Sequence, residues 1–368
     1  MRVGLVYTGC FRQAGVERIV WESARHLAER HDVTVLADYW EESGAPVTYR
    51  RVHPRMRPRF LLPNSFSTRA GRAMREGGYD RVVSYGANCP GGDVLWVSSV
   101  HRAWLERACA GETGARRAKA MLRFVRPVNR SLLSLERALF SRRDYRRVIT
   151  TSDRVAEDLG RLYGVPREDT VTIGNGFAPE EFSPGRRHEL REEVRAELGL
   201  ANDDVALLMV ANELPRKGFG VLLDAVRLVG DPRLRVLLAG RVAPTGYDLS
   251  GVRVAYLGLV SDLGRLHAAA DLFVLPTRYE AACLSIVEAL GSGLPVITTD
   301  VPGAGDLIEH GVNGLLQHDP LDPEELAALL RLGLDESERR RWSEAAGERA
   351  RPYAWHNLIA RVEEVLAA

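Results

Sequence analysis

Two carboxylates stand close together in one stretch of the sequence, at Glu280 and Glu288. The apolar run at 271–275 predicts a buried strand that ends shortly before Glu280, and a helix is predicted to begin near Cys283 and to carry Glu288. Seven residues separate the glutamates, so they cannot be the two ends of one helical turn. The free N–H groups and positive dipole end of the helix would suit a phosphate. We therefore predict that the two glutamates contact different parts of one extended ligand, although glycosidases also use paired carboxylates, as acid and base.

Lysine is rare in this chain, which has only Lys119 and Lys217 among its 50 basic residues. A lysine in such an arginine-rich sequence can mark a place that needs a compact ammonium group. Lys217 follows Arg216 and precedes Gly218, where another helix is predicted to begin. Two cations beside a helix N-terminus would bind a diphosphate. The alternative is a solvated basic turn.

Two further candidates lie in the N-terminal half of the chain. Gly15 belongs to a loop between a predicted strand and a helix, at the end of the strand where such sheets bind ligands. The loop lacks the GxGxxG spacing of dinucleotide sites, and it could also be a plain crossover turn. His101 comes just after another predicted strand. There its side chain could meet an acceptor or a departing phosphate, or serve the structure alone.

The composition is that of a globular protein long enough for two domains. The chain has 368 residues, of which 45% are hydrophobic and 27% are charged. No apolar run approaches the ~20 residues of a membrane span, and the N-terminus lacks the apolar core of a signal peptide. The four cysteines are scattered without CxxC spacing. This usage predicts a reducing cytoplasm, no disulfide framework and no structural zinc.

Positive charge is concentrated between residues 101 and 150. This segment holds thirteen Arg or Lys and four Asp or Glu, although the net charge of the whole chain is only +1. The segment could be a solvated helical face, or it could attract an anionic surface such as phospholipid headgroups or a phosphorylated acceptor. We predict no nucleic-acid binding, because no recognition motif or interleaved aromatic residues accompany the charge.

The order of the predicted elements indicates an α/β protein with two doubly wound, Rossmann-like domains facing a cleft. We predict a first domain at 1–175, a second at 176–352, and a last helix within 353–368 that crosses back to the first domain. The strands are predicted at 3–7, 33–36, 81–85, 94–98, 148–151 and 170–173 in the first domain, and at 205–210, 234–239, 252–257, 271–275 and 295–298 in the second.

Several motifs, in order along almost the whole chain, resemble those of the family-four glycosyltransferases of the GT-B architecture. The most specific is the run from Glu280 to Glu288, which continues as Ala289-Leu290-Gly291-Ser292-Gly293-Leu294-Pro295. The others are Gly15-Val16-Glu17-Arg18, Gly174-Asn175-Gly176-Phe177, Arg216-Lys217-Gly218, Gly311-Val312-Asn313-Gly314 and Asp322-Pro323-Glu324-Glu325.

The resemblance implies a retaining transfer of a sugar from a nucleotide-sugar donor, with UDP-sugars the first choice, to a hydroxyl acceptor. The second domain would bind the nucleotide sugar and the first domain the acceptor. The backbone N–H groups of Ala282, Cys283 and Leu284 would cradle the diphosphate. No metal ion or other cofactor would be required.

The same resemblance assigns roles to the charged residues. Glu280 would bind the hydroxyls of the transferred sugar, Glu288 the ribose, and Lys217 the diphosphate. His101 would position groups at the reaction centre without acting as a base. Many relatives carry an arginine five or six residues before the lysine, where this chain has none, and Arg216 would take its place beside the diphosphate.

Two other functions would fit the same architecture. One is a nucleotide-sugar epimerase, and the other is a non-catalytic relative that binds a nucleotide or a partner. The presence of Glu280, Glu288 and Lys217 together favours the transferase.

Overall fold

The chain folds into two compact units with a similar construction. The structure is a computed structural model, and it describes residues 1–12, 15–55, 59–109 and 121–368. The first unit consists of Met1–Gly174 and Trp355–Ala368, and the second of Asn175–Ala354. Each unit is built on one parallel sheet, and most of its consecutive strands are joined through helices. The prediction of two Rossmann-like α/β domains is therefore confirmed.

The first unit contains a seven-stranded sheet. The strands of this unit are β1 (Arg2–Val6), β2 (Gly9–Cys10), β3 (Asp32–Ala37), β4 (Tyr39–Trp40), β5 (Val47–Arg51), β6 (Arg81–Tyr85), β7 (Val94–Val97), β8 (Arg147–Thr150) and β9 (Thr170–Thr172). The short strands β2 and β4 pair only with each other, and the other seven are ordered β5-β3-β1-β6-β7-β8-β9. All neighbouring pairs are parallel.

The helices of the first unit correct two sequence predictions. They are α1 (Val16–Leu27), α2 (Leu62–Gly77), α3 (His101–Cys109), α4 (Pro127–Arg142) and α5 (Asp153–Tyr163). No helix is predicted from the sequence at the position of α2. The sequence pattern also predicts one long helix from Leu122 to Phe140, and the structure interrupts it: residues 121–125 are helical, Arg126 is not, and α4 begins at Pro127, which lacks the N–H that a helix interior needs. Residues 110–120 of the basic segment lie outside the described residues.

The second unit contains a six-stranded sheet. Its strands are β10 (Val205–Val210), β11 (Leu234–Ala239), β12 (Val254–Gly258), β13 (Leu272–Leu275), β14 (Val296–Thr299) and β15 (Gly314–Gln317). Its helices are α6 (Pro184–Glu197), α7 (Phe219–Val229), α8 (Leu263–Ala269), α9 (Leu284–Gly291), α10 (Pro323–Leu332) and α11 (Glu336–Ala350). The strand order is β12-β11-β10-β13-β14-β15, again with parallel pairs. All four residues of β13 are buried, which explains why it reads as a continuous apolar run.

The last helix, α12 (Trp355–Ala367), belongs to the first unit although the second unit precedes it in the chain. Glu363 forms ion pairs with His31 at 3.0 Å and with Arg30 at 2.8 Å. Arg81 Nε donates a hydrogen bond to the carbonyl oxygen of Leu366 at 2.9 Å. These contacts fix the C-terminal segment to the end of α1 and to β6.

The strand order places a topological switch point between β10 and β13. These strands are hydrogen-bonded neighbours, but the chain leaves β10 toward β11 on one side and leaves β13 toward β14 on the other. In open α/β sheets, ligands bind outside the carboxyl ends of the strands at such a point. The loops that follow β10 and β13 are therefore the first place to look for a site.

Candidate functional site

The two loops at the switch point carry the charged residues that the sequence singles out. Lys217 lies between β10 and α7, and Glu280 lies between β13 and α9. The two residues are 63 positions apart in the chain, but their side chains form an ion pair with 2.5 Å between Lys217 Nζ and Glu280 Oε1. Parallel pairing of β10 with β13 brings the two loops to the same edge of the sheet.

A glycine allows the two loops to approach each other this closely. Gly218, the residue before α7, has a φ of +80°, which favours glycine. A Cβ atom there would lie 1.9 Å from the carbonyl oxygen of Pro276. Next to it, the N–H of Arg278 donates a hydrogen bond to the carbonyl oxygen of Arg216 at 2.9 Å. Any side chain at position 218 would therefore push Lys217 away from Glu280.

Three side chains converge on one oxygen of Glu280. Its Oε1 lies 2.5 Å from Lys217 Nζ, 2.8 Å from Arg216 Nη1 and 3.2 Å from Thr277 Oγ1. The Glu280 side chain is only 8% exposed. Burial by itself would raise the pKa of Glu280, but the charges of Lys217 and Arg216 outweigh it and hold the pKa below its usual value. Glu280 is therefore a carboxylate with one heavily bonded oxygen.

Lys217 is positively charged in this environment. Burial alone would lower the pKa of Lys217, but the negative charge of the neighbouring Glu280 opposes it, and the pKa lies above its usual value. Lys217 Nζ also lies 3.8 Å from Cys283 Sγ. Burial raises the pKa of the Cys283 thiol even though Lys217 opposes the shift, so the thiol is neutral near pH 7. The carboxylate of Glu280 is thus the anionic partner of Lys217 in this structure.

The guanidinium of Arg216 is bonded to protein groups on three sides. Its Nη1 donates to the carbonyl oxygen of Tyr279 at 2.6 Å and to Glu280 Oε1 at 2.8 Å. Its Nη2 donates to Glu213 Oε1 at 3.3 Å. Arg216 therefore joins the two loops directly, which the sequence could not indicate.

The start of α9 agrees with the sequence prediction in position but not in every hydrogen bond. The helix begins at Leu284 with Cys283 as its N-cap residue, as predicted. However, the N–H of Cys283 already donates to the carbonyl oxygen of Gly303 at 3.0 Å. This N–H could therefore help to cradle a diphosphate, as predicted, only by exchanging its bond to Gly303 for one to the ligand. Among the described residues, no hydrogen-bond acceptor is recorded for the N–H groups of Ala282 and Leu284.

The residues around the start of α9 are fixed by their neighbours. Gly303 has a φ of +87°, and a Cβ there would lie 2.6 Å from the carbonyl oxygens of Glu280 and Ala281. Asn175 donates a hydrogen bond from Nδ2 to the carbonyl oxygen of Ala282 at 3.2 Å. Glu288 lies in the second turn of α9, and its side chain is buried. Glu280 and Glu288 thus flank the N-terminus of one helix.

The structure places the other two candidates in the first unit. His101 is the first residue of α3, and its ring stacks on that of Trp104 with 5.7 Å between centroids. Burial lowers the pKa of His101, with a hydrogen bond to Asn129 acting in the opposite direction. Gly15 precedes α1 and is exposed, and a Cβ there would meet nothing within 4 Å. Gly15 is therefore not required by packing inside the unit.

Three residues near these candidates were not identified from the sequence. Thr277 is fully buried beside Glu280. The carbonyl oxygen of Gly303 accepts a hydrogen bond from the N–H of Cys283. Glu136 accepts hydrogen bonds from the N–H groups of His101 and Arg102 at 2.7 and 3.1 Å. The Pro302-Gly303 pair was a possible signal for a special backbone turn. Nothing in the sequence connects Glu136 with a residue 35 positions earlier.

Neither a metal cluster nor a membrane-spanning helix accompanies the site in the described residues. Within the described ranges, no cluster of three or more His, Cys, Asp or Glu side chains is arranged to hold a metal ion. The same ranges contain no helix with the length and apolar character needed to cross a membrane.

Comparison with known sequences identifies both units. Residues 14–181 match the profile of Glycosyltransferase Family 4, and residues 191–349 match that of Glycosyl transferases group 1. The chain carries the two domains of a glycosyltransferase. Together, the two matches span most of this glycosyltransferase, and the boundary between them falls near the start of the second unit.

Individual relatives and solved structures agree with this assignment. The lipopolysaccharide glucosyltransferase WaaG of Escherichia coli strain K12 is 26% identical, over 97% of this chain and 96% of WaaG. The uncharacterized glycosyltransferase MJ1607 of Methanocaldococcus jannaschii is 30% identical, but the match covers 49% of this chain and about half, 48%, of that protein.

The matches to solved structures extend over the whole of this chain. A crystal structure of WaaG superposes with a TM-score of 0.82 at 22% identity and covers all of both chains. The structure of Anabaena Alr3699/HepE in complex with UDP-glucose gives a TM-score of 0.69 at 20% identity, over 100% of this chain and 99% of that one. These likenesses establish the GT-B fold.

Proposed function

We propose that this glycosyltransferase transfers a sugar from a nucleotide-sugar donor to a hydroxyl acceptor, with retention of the anomeric configuration and without a metal ion. The observation that carries the proposal is the Lys217–Glu280 ion pair beside the N-terminus of α9, at the switch point of the second sheet. A cation and a helix start stabilise a diphosphate, and a carboxylate binds sugar hydroxyls. One side of the site thus suits the leaving group and the other the transferred sugar.

The proposed nucleotide sugar lies along α9. Its diphosphate would bind Lys217 and the N–H groups of Ala282 and Leu284, its sugar would contact Glu280, and its ribose would contact Glu288. UDP-sugars are the first candidates, since Alr3699/HepE of the same fold has been solved with UDP-glucose. During transfer, Lys217 and the dipole of α9 would stabilise the charge that develops on the departing diphosphate.

A ligand-binding screen tests the proposed donor. The purified chain would be melted with UDP, GDP, ADP and dTDP and with their glucose derivatives, because a ligand that binds only the folded state raises the melting temperature. We expect stabilisation by one nucleotide and its sugar, and an acceptor-dependent release of the nucleoside diphosphate that EDTA does not reduce. A sugar that is isomerised without an acceptor would instead indicate an epimerase. Binding without any turnover would indicate a non-catalytic relative.

Glu288 gives a prediction that separates ribose binding from sugar binding. Replacing Glu288 by Gln keeps the shape of a buried side chain but removes its charge. Because hydrogen bonds to charged groups contribute ~1.5–3 kcal/mol, we expect nucleoside diphosphate affinity to fall roughly ten- to a hundredfold. Calorimetric titration of wild type and variant with the nucleotide selected by the screen measures the change. Unchanged affinity in a folded variant would remove Glu288 from the ribose site.

The acceptor would bind the first unit, where His101 and Gly15 are the candidate contacts. Glu136 holds the N-terminal turn of α3 through two backbone N–H groups, and the hydroxyl of Tyr163 donates to the same carboxylate at 2.6 Å. His101 is therefore carried by a well-fixed helix start. We propose that it positions the acceptor or the departing phosphate, and that it does not remove the acceptor proton.

We also propose that part of the basic segment contacts an anionic membrane or acceptor from the cytoplasmic side. Within the segment, Arg107 is committed to a bidentate ion pair with Asp158 at 2.6 and 2.7 Å. The stretch 121–130, in contrast, exposes both cations and large apolar side chains. The exposed residues are Met121, Leu122, Val125, Arg126, Val128 and Arg130. Such a mixture suits a headgroup layer, where cations meet phosphates and apolar side chains enter the acyl boundary.

Vesicle binding tests this contact. We expect the wild-type protein to sediment with vesicles rich in phosphatidylglycerol and to be released at high salt, because the attraction is screened. Charge reversal at Arg126 and Arg130 should abolish sedimentation, whereas reversal at the exposed Arg340 in the second unit should leave it unchanged. Sedimentation that persists in the Arg126→Glu/Arg130→Glu variant would contradict the proposal.

A further inference from the structure

Arg216 and Lys217 are adjacent cations, but their surroundings differ. The sequence assigns both to the diphosphate. In the structure, the guanidinium of Arg216 makes three hydrogen bonds, to Tyr279, Glu280 and Glu213. Among the described residues, the ammonium of Lys217 makes one close polar contact, with Glu280, since its other partner, Cys283 Sγ, is 3.8 Å away and neutral. Of the two cations, Lys217 is the one that can change partner at small cost.

The contacts of Arg216 form one continuous connection between the two loops. Its backbone carbonyl accepts the N–H of Arg278, and its side chain donates to the next two residues of the same loop, Tyr279 and Glu280. If the guanidinium turned toward a phosphate, the carbonyl of Tyr279 and Oε1 of Glu280 would each lose their Arg216 donor, and Oε1 would depend on Lys217, which the proposed diphosphate also needs. An unsatisfied buried acceptor is costly, so this arrangement favours keeping Arg216 in place when a ligand binds.

The two oxygens of Glu280 are not equivalent. Oε1 accepts from Lys217 and Arg216 and lies within hydrogen-bonding distance of Thr277 Oγ1, whose single proton can also serve Tyr279. For Oε2, no partner is recorded among the residues that the structure describes. One oxygen is thus held by the protein, and the other is available to a ligand.

We propose that Arg216 is a positioning residue that holds Glu280 Oε1, so that Oε2 faces the hydroxyls of the transferred sugar, and that Lys217 is the cation that binds the diphosphate. This inference rests on the proposed function of the site. When the diphosphate binds, Lys217 exchanges Glu280 for a phosphate oxygen, and Arg216 keeps the carboxylate in place. The arginine that precedes the lysine therefore acts in sugar recognition, and it does not replace a missing phosphate ligand.

The test compares a nucleotide with and without its sugar. Calorimetry with UDP and with UDP-glucose would be carried out on the full-length wild type and on the variants Arg216→Met, Lys217→Met and Glu280→Gln. We expect Arg216→Met to bind UDP within about threefold of wild type, while its preference for UDP-glucose over UDP falls at least tenfold, as in Glu280→Gln. Lys217→Met should lose UDP affinity at least tenfold. Arg216→Lys should restore part of the sugar preference, because it returns one hydrogen bond donor to Glu280.

Each outcome has a distinct meaning. If Arg216→Met loses UDP affinity tenfold with an unchanged ratio of the two dissociation constants, Arg216 binds phosphate and the inference is overturned. If Arg216→Met changes neither the UDP affinity nor the ratio of the two dissociation constants, Arg216 does not position Glu280 and the inference is also overturned. A purely structural role would lower the melting temperature without altering the ratio. Absence of UDP binding in the wild type would count against the proposed donor, and the same comparison would then use the nucleotide and nucleotide sugar that the melting screen selects.

Thr277 provides a second variant that keeps the fold. Thr277→Val preserves the shape of a fully buried side chain and removes only the hydroxyl near Glu280 Oε1. We expect a smaller loss of the preference for UDP-glucose, with UDP affinity unchanged, and recovery in Thr277→Ser. A loss in Thr277→Val that affects UDP and UDP-glucose equally would contradict the division between the two oxygens.

Discussion

Replacing Lys217 by Ala is expected to reduce kcat/KM for sugar transfer by about 10²–10³, the usual cost of removing one preorganised group that stabilises transition-state charge. Lys217 lies beside the N-terminus of α7, is 12% exposed and carries a pKa above its usual value, so it is charged throughout the neutral range. In the proposed reaction, it stabilises the diphosphate as that group departs. No other lysine is present in the described part of the second unit.

The fold should tolerate this change. Loss of Lys217 leaves Glu280 bonded to Arg216 and close to Thr277, so the carboxylate is not left without donors. A melting temperature near that of wild type, together with lost transfer, would therefore place Lys217 in the chemistry.

Two companion variants sharpen the result. Lys217→Met keeps the aliphatic stem and should behave like the alanine variant. Lys217→Arg keeps the charge but introduces a planar group that already has a neighbour of the same kind in Arg216, and it should recover only part of the activity. Transfer would be measured as nucleoside diphosphate released per minute in the presence of acceptor. A rate within threefold of wild type for Lys217→Ala would refute the diphosphate assignment.

The sequence predicts the strands and helices best where apolar runs are bounded by glycines or other turn residues. The bounds of β10 and β11 agree with the sequence prediction residue for residue, and α7 begins directly after Gly218, because these elements are buried and glycines lie at both ends of α7. Gly218 and Gly230 both have positive φ. At these elements, local sequence propensity and tertiary packing favour the same bounds.

The helix α2, in contrast, cannot be predicted from the pattern of apolar residues. Only part of its sixteen residues is apolar, and it contains Gly71 in its interior, which weakens any helical pattern. The packing explains the glycine, since a Cβ at Gly71 would lie 3.2 Å from the ring of Pro90. Pro90 is nineteen positions later, and single-sequence patterns do not contain contacts at that distance.

The candidate site was predicted as a set of residues but not as a set of bonds. The sequence identifies Glu280, Lys217 and Arg216 as charged residues near helix starts. It does not reveal that the two cations contact the glutamate, because that depends on the pairing of β10 with β13, whose partner residues are 65 positions apart. The engaged N–H of Cys283 likewise depends on Gly303, which comes from the connection after β14.

Arg195 provides the largest expected effect on stability. Its guanidinium, in a side chain 9% exposed, donates to Asp271 at 3.1 Å and to three backbone carbonyls, of Ala201, Asp204 and Ala269, at 2.6 to 3.0 Å. Asp271 keeps its ion pair with Arg191 at 2.6 Å, but the buried carbonyls of Asp204 and Ala269 lose the Arg195 donor. We expect Arg195→Ala to cost about 2–5 kcal/mol of unfolding free energy, because each unsatisfied buried acceptor costs ~1–3 kcal/mol. Calorimetry should show the transition of the second unit lowered by roughly 10 °C.

A matched control separates burial from charge. Arg340 pairs with Glu336 on the exposed face of α11, with 78% and 66% of the two side chains exposed. Arg340→Ala removes the same kind of side chain from the same unit, and the cost should stay within ~0.5 kcal/mol. Equal melting temperatures for Arg195→Ala and Arg340→Ala would contradict the role given to the buried network.

The position of Arg195 also determines what should happen to activity. Asp271 immediately precedes β13, and its Oδ2 accepts the N–H of Ala206 in β10 at 2.8 Å. The network therefore fixes the amino ends of the two strands whose carboxyl ends carry Lys217 and Glu280. Well below its melting temperature, Arg195→Ala should keep transfer per folded molecule within a few-fold of wild type. Lys217→Ala should do the reverse, because it loses transfer without losing the fold. A large loss of both properties in Arg195→Ala at low temperature would mean that the framework and the site are not separable along β13.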